Sequence, residues 1–68
     1  MDNIAKIIEV SAASENGLED AVQSGLDRVA ETISGIQGAW ISDIKALTTP
    51  DGRITEWRVL MRVSFIVA

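Results

Sequence analysis

Three side chains in this 68-residue sequence invite a chemical reading: Trp40, Arg58 and Lys45. Trp40 follows the glycine-containing segment Gly35-Ile36-Gln37-Gly38, at the start of an apolar run. An indole at a strand end has a wide π face, and offset stacking on a planar ligand contributes ~0.5–1.5 kcal/mol beyond the area it hides. Packing at a subunit boundary uses the same face, and on physics alone it is the simpler reading. Arg58 carries a planar fork of donors and no acceptor. It can pair with Glu56, with Asp43 or with a neighbouring subunit, or it can donate to the carbonyl oxygens or phosphate of a ligand. Lys45 has the same two readings, and a solvated surface position is the plainer one for it.

Other chemistry is missing or scattered. The chain has no histidine and no cysteine. That removes the commonest metal ligand, the usual general base at neutral pH, disulfides and thiolate metal sites. The serines and lysines follow no catalytic motif. Gly17, Gly25, Gly35, Gly38 and Gly52 form neither the dinucleotide fingerprint nor a phosphate-binding loop. Asp27 and Glu31, four apart on a helix, read as a solvated face. Adjacent Glu19 and Asp20 point in different directions. No calcium-binding loop of the EF-hand type is present. The expectation is a protein that is not an enzyme.

The elements that must position these residues follow from pattern. Ala5 to Ala12 is short and rich in Ile and Val, which predicts a strand. Ser14 then reads as a helix N-cap, with Glu15, Glu19 and Asp20 where the helix dipole favours negative charge. Leu18, Ala21, Val22, Gly25, Leu26, Val29, Ala30 and Ile33 recur at three- and four-residue steps, one stripe of an amphipathic helix ending near Ser34-Gly35. A helix of about 20 residues would run ~30 Å. A second strand is expected over Ala39 to Leu47. The turn signal Thr48-Thr49-Pro50-Asp51-Gly52 contains the only proline and joins it to a third strand, Arg53 to Val67. There Thr55, Trp57, Val59, Met61, Val63, Phe65 and Val67 make an apolar face that should pack on the helix. Trp57 and Phe65 read as core. The opposite face mixes Ile54, Leu60 and Ile66 with charges, and nothing else in the chain can cover it.

Size argues the same way. So short a chain is one domain, 1–68, and buries only ~60% of the surface its unfolded form exposes. Small chains compensate with disulfides, a metal or oligomerisation, and here oligomerisation is left. Ten acidic and six basic residues give a net charge of −4 with no basic run, a poor match to a nucleic-acid backbone. No stretch approaches the ~18–20 apolar residues of a membrane span. Met1-Asp2-Asn3 lacks the basic start of a signal peptide, so a cytoplasmic location is expected.

Over nearly its whole length the sequence resembles the dodecins. The likeness is carried by Lys6-Ile7-Ile8-Glu9-Val10, by Ser14-Glu15-Asn16-Gly17-Leu18-Glu19-Asp20-Ala21-Val22-Gln23, by Gly38-Ala39-Trp40, and by Glu56-Trp57-Arg58-Val59 through Val63-Ser64-Phe65. Each motif alone is weak; their order, their spacing and the total length make the match specific. The resemblance implies an α+β fold of β-α-β-β order, a three-stranded antiparallel sheet wrapped around one amphipathic helix, and a hollow homododecamer. It implies a flavin, riboflavin or FMN, stacked on Trp40 between subunits for storage or sequestration and not for catalysis, with Arg58 at the ring's polar edge and Lys45 near a phosphate or the pyrimidine side. One departure bears on affinity. The flavin-binding pattern has a glutamine, which donates and accepts, where this chain has donor-only Arg58. The alternative is a dodecin-like shell that holds no flavin and binds calcium or other cations through carboxylates such as Asp43 and Glu56.

Overall fold

A computed structural model describes residues 4–67; the Met1-Asp2-Asn3 start lies outside the described residues. Four elements follow in the expected β-α-β-β order: β1 (Ile4–Ser14), α1 (Leu18–Ala30), β2 (Ile36–Thr48) and β3 (Ile54–Val67). They form one three-stranded sheet of order β1-β3-β2. β3 is central and antiparallel to both neighbours. The long alternating segment takes the centre because it alone offers a complete apolar face to the helix.

That face supplies the core. Val59, Met61 and Val63 are buried on it, against Ala21 of α1. Gly25 of α1 is buried too. A Cβ built there would lie 2.5 Å from Met61 Cε and 3.0 Å from the Ala12 Cβ. Its missing side chain is therefore what lets the helix axis approach the sheet this closely. Trp57 and Phe65, expected in the core, are half-buried, while Thr55 is exposed and donates its hydroxyl to the Leu47 carbonyl (3.2 Å).

Several boundaries differ from the sequence reading, some by one residue and others by more. Ser14 is not the helix cap. Ala13 and Ser14 stay in register with Arg58 and Trp57, so sheet pairing carries β1 two residues past Ala12. The Ser14 hydroxyl accepts from the Asn16 N–H (2.9 Å) and donates to Asp20 Oδ2 (2.6 Å). The cap position falls to Gly17, with φ 137° and no side-chain capping bond. Backbone in that region suits a residue without Cβ. The helix also has 13 residues and ends at Ala30, ~20 Å by its rise, shorter than the apolar stripe implied. Past it the Thr32 and Ile33 N–H groups donate to the Val29 carbonyl (3.2 and 3.0 Å) as the chain leaves helical geometry. β2 begins at Ile36, three residues before Ala39, because Ile36 and Gly38 pair with Phe65 and Ser64.

The β2–β3 turn matches its signal. The Thr49 N–H donates to the Arg53 carbonyl and the Gly52 N–H to the Thr49 carbonyl, both at 2.9 Å. The Thr49 hydroxyl donates to the Asp51 carboxylate. This bond holds the Asp51 carboxyl below its ordinary ionisation range, with backbone N–H groups adding to the effect.

α1 packs chiefly on β1 and β3. Ile41 and Ile44, opposite Met61 and Val59 in the register, lie on the helix side of the sheet and yet remain 40% and 53% exposed. Uncovered apolar surface is thus present on both sides of the sheet, and β1 and β2 are edges with unpaired backbone groups.

Candidate functional site

The face of the sheet turned away from α1 carries all three residues singled out by sequence. Its centre is the β3 row Glu56, Arg58, Leu60, Arg62, Ser64 and Ile66, the side opposite buried Val59, Met61 and Val63. Ile54, expected in this row, lies beyond a register shift that leaves Thr55 unpaired, and it pairs with Thr48 on the helix side. β1 adds Ile7, Glu9 and Ser11 opposite Ser64, Arg62 and Leu60. β2 adds Trp40 opposite Arg62, Asp43 opposite Leu60 and Lys45 opposite Arg58.

Trp40 and Lys45 reach this common face through a break in β2. Residues five apart in a regular strand point to opposite sides. The register shifts between Ile41 and Asp43, so Ser42 is an extra residue without a partner of its own. This bulge resets the alternation: Ile41 and Ile44 face α1's side, while Trp40, Asp43 and Lys45 face away. Bulges recur beside functional sites because they re-aim side chains in this way.

The three residues form two clusters. Lys45 and Arg58 are directly opposed and line a shallow hollow of about 110 Å³ with Ser11, Asp43, Val59 and Leu60. Arg58 Nε donates to Glu56 Oε2 at 2.7 Å, so its charge is already partnered within the strand. Asp43 shares the hollow, and Glu56 lies four residues along β3 from Asp43's partner Leu60. The two carboxylates proposed for cation binding are therefore not brought together. Among the described residues no cluster of three acidic side chains is placed to hold a metal ion.

Trp40 belongs to the second cluster. It is 59% exposed, a large apolar group left in solvent. It lines a broader depression of about 370 Å³ with Ile7, Ser42 and Arg62, a size within the ~300–1,000 Å³ of small-molecule clefts. Arg58 and Arg62 are four residues apart, ~13 Å along the strand. Within one chain, then, the neighbours of Trp40 are Ile7 and Arg62, while Arg58 and Lys45 stand apart. Sequence reasoning put Arg62 on the correct face without assigning it a role. Its pairing with Trp40 depends on the strand register, which no spacing within β2 or β3 encodes.

The clusters differ in what they can do. The Trp40 depression offers an uncovered indole, an apolar neighbour in Ile7 (55% exposed), a hydroxyl and a guanidinium. This combination fits a flat aromatic ring bearing acceptor atoms on its edge. The Lys45–Arg58 hollow offers two cations tempered by Asp43 and Glu56.

Comparison with known proteins bears on the fold and the family. The fold superposes on that of the dodecin from Streptomyces davaonensis with a TM-score of 0.89, over 100% of this chain and 98% of that one, at 20% identity. The dodecin from Streptomyces coelicolor gives 0.88, over 98% and 94%, at 19% identity. The tt0972 protein from Thermus thermophilus gives 0.89, over 98% and 97%, at 27% identity. No protein of curated function matches the sequence. The dodecin sequence profile matches residues 4–68, nearly the entire chain, and by that match the chain belongs to the dodecin family.

Proposed function

We propose that this protein binds a flavin, riboflavin or FMN, without turning it over, and holds it for storage or sequestration in a homo-oligomer, on the family pattern a homododecamer. The observation that carries the proposal is Trp40: a tryptophan more than half exposed, on a sheet face that no other element among the described residues covers, in a member of the dodecin family. The ring stacks on the indole. Arg58 and Lys45 serve the ring's polar edge or a phosphate, and because they stand ~13 Å from the Trp40 cluster along β3, a site built between copies takes them from a different chain than its tryptophan.

Self-association is supported by what remains open. Ile7 and Trp40 are exposed on the outer face, and Ile41 and Ile44 on the helix side of β2. The charges of the outer face alternate in sign, Glu9, Asp43 and Glu56 against Lys45, Arg58 and Arg62. Copies can approach there with opposite charges matched. The absence of histidine and cysteine leaves no ordinary nucleophile–base pair, in keeping with a binding role.

The test is a titration of ligand-free protein into riboflavin and, separately, into FMN, with flavin fluorescence as the readout. Strong quenching that saturates near equimolar chain supports the proposal. Undiminished fluorescence at micromolar protein removes it, and calcium-dependent thermal stability in such a protein would identify a flavin-free shell instead.

A further inference from the structure

We propose that Arg62 is a further residue contacting the ring: its guanidinium donates to an acceptor on the edge of the planar ring stacked on Trp40 of the same chain. The inference rests on the flavin reading above and assigns a residue that neither the sequence motifs nor the family likeness singles out.

Three observations converge on it. The first is register. Arg62 is the direct cross-strand partner of Trp40 on the uncovered face. Directly opposed residues have Cβ atoms ~4.5–5.5 Å apart, so the arginine side chain spans the distance from its own strand to a ring lying over the indole. The second is the shared depression, where Arg62, Trp40, Ile7 and Ser42 line one surface. The third is availability. Arg58 is held by Glu56 at 2.7 Å. The nearest carboxylate to Arg62, on Glu9, stays at 3.9 Å, and both side chains are more than half exposed. That separation is beyond hydrogen-bond length, and an exposed pair of this kind is weak. Among the described residues the Arg62 side chain makes no hydrogen bond, so its donors are free for a ligand.

Arginine chemistry defines the ligand. A donor-only planar fork matches carbonyl oxygens along one edge of a flat heteroaromatic ring. A cation beside such an edge also favours loss of a proton from the ring, since a nearby opposite charge stabilises the ionised form. Lys45 and Arg58, ~13 Å away along the strand, do not act on that edge within the same chain. The assignment therefore predicts recognition of the ring itself, with or without a phosphate on its tail.

Arg62→Met tests this. It keeps an apolar stem of similar reach and deletes every donor, and at an exposed position it leaves the core untouched. Sedimentation establishes that the variant assembles like the wild type. Riboflavin and FMN are titrated against both proteins by fluorescence, and the absorbance of bound flavin is followed with pH. The expected result is a loss of about tenfold or more in affinity, the scale of a charge-assisted hydrogen bond. The loss is similar for the two flavins, and the bound ring gives up its proton at lower pH in the wild type than in the variant. Equal affinities and equal pH profiles in the two proteins overturn the assignment. A loss confined to FMN also overturns it, placing Arg62 on the phosphate tail. If the wild type quenches neither flavin, the flavin reading fails and takes this inference with it. If the wild type quenches both and Arg62→Met is indifferent, only Arg62 is wrong.

Discussion

Replacing Trp40 by alanine isolates the stacking contribution, and its size can be worked out from exposure. A tryptophan presents ~250 Å² in all. With 59% of Trp40 exposed, ~150 Å² of it is open to a ligand on that scale. A ring lying on one face of the indole hides about half of this, ~75 Å², worth ~1.9 kcal/mol at ~25 cal/mol per Å². Offset stacking adds ~0.5–1.5 kcal/mol. The sum, ~2.4–3.4 kcal/mol, corresponds to an affinity loss of about 50- to 250-fold. The assay is a fluorescence titration of riboflavin with wild type and Trp40→Ala at matched chain concentrations, with sedimentation to establish that the variant still assembles. Trp40 is not in the core, so folding should survive. A variant that assembles and binds riboflavin within threefold of wild type would refute the reasoning, because no other exposed indole lies on the outer face.

Other substitutions probe separate parts of the structure. Arg58→Gln exchanges a donor-only group for one that also accepts, and one further neutral hydrogen bond is worth ~0.5–1.5 kcal/mol; riboflavin affinity should rise severalfold, and a fall in the same fluorescence titration would show that the guanidinium is the better partner. Met61→Ala empties the fully buried centre of the core, and urea denaturation should show a loss of ~2–5 kcal/mol; a loss under 1 kcal/mol would mean that the helix settles into the space. Thr49→Val removes the hydroxyl that holds the Asp51 ionisation low. A carboxyl with a depressed folded value contributes stability above its unfolded ionisation range and loses it as pH falls through the folded one. Asp51 in the variant should therefore titrate at higher pH by carboxyl NMR, and the turn's share of the acid sensitivity should shrink; an unmoved titration would assign the shift to the backbone N–H groups.

How far the sequence could be read depended on whether an element's pattern is local. β3 was legible because a 14-residue strand with strict alternation leaves one way to bury its apolar side, and Val59, Met61 and Val63 are where that alternation puts them. The turn was legible because Pro, Asp and Gly each constrain the backbone themselves. Ser14 was misread because its capping tendency is local, whereas its role is decided by pairing with Trp57, more than forty residues away. The helix overran because apolar spacing continues to Ile33, although at Glu31 and Thr32 the N–H groups already bond three residues back, to Arg28 and Val29, instead of four. For the candidate site, Arg58 was legible as a residue of the mixed face, but its separation from Trp40 and the pairing of Trp40 with Arg62 are properties of register. Placing Lys45 on the face of Trp40 required the bulge, since plain alternation sends them to opposite sides.

The unpartnered residue at Ser42 also bears on how the chain tolerates change in length. A residue gained or lost inside a paired strand normally reverses the facing of everything between that point and the turn, turning core outward. Position 42 is different: Ile41 is already matched to Met61 and Asp43 to Leu60, with Ser42 outside the pairing. Losing it leaves both matches in place, so β2 can differ by one residue here with Trp40 and Lys45 still facing the same way. Relatives in which the tryptophan and the basic residue are separated by an even step instead of an odd one could thus display the same surface, and counting residues between them would conceal the equivalence.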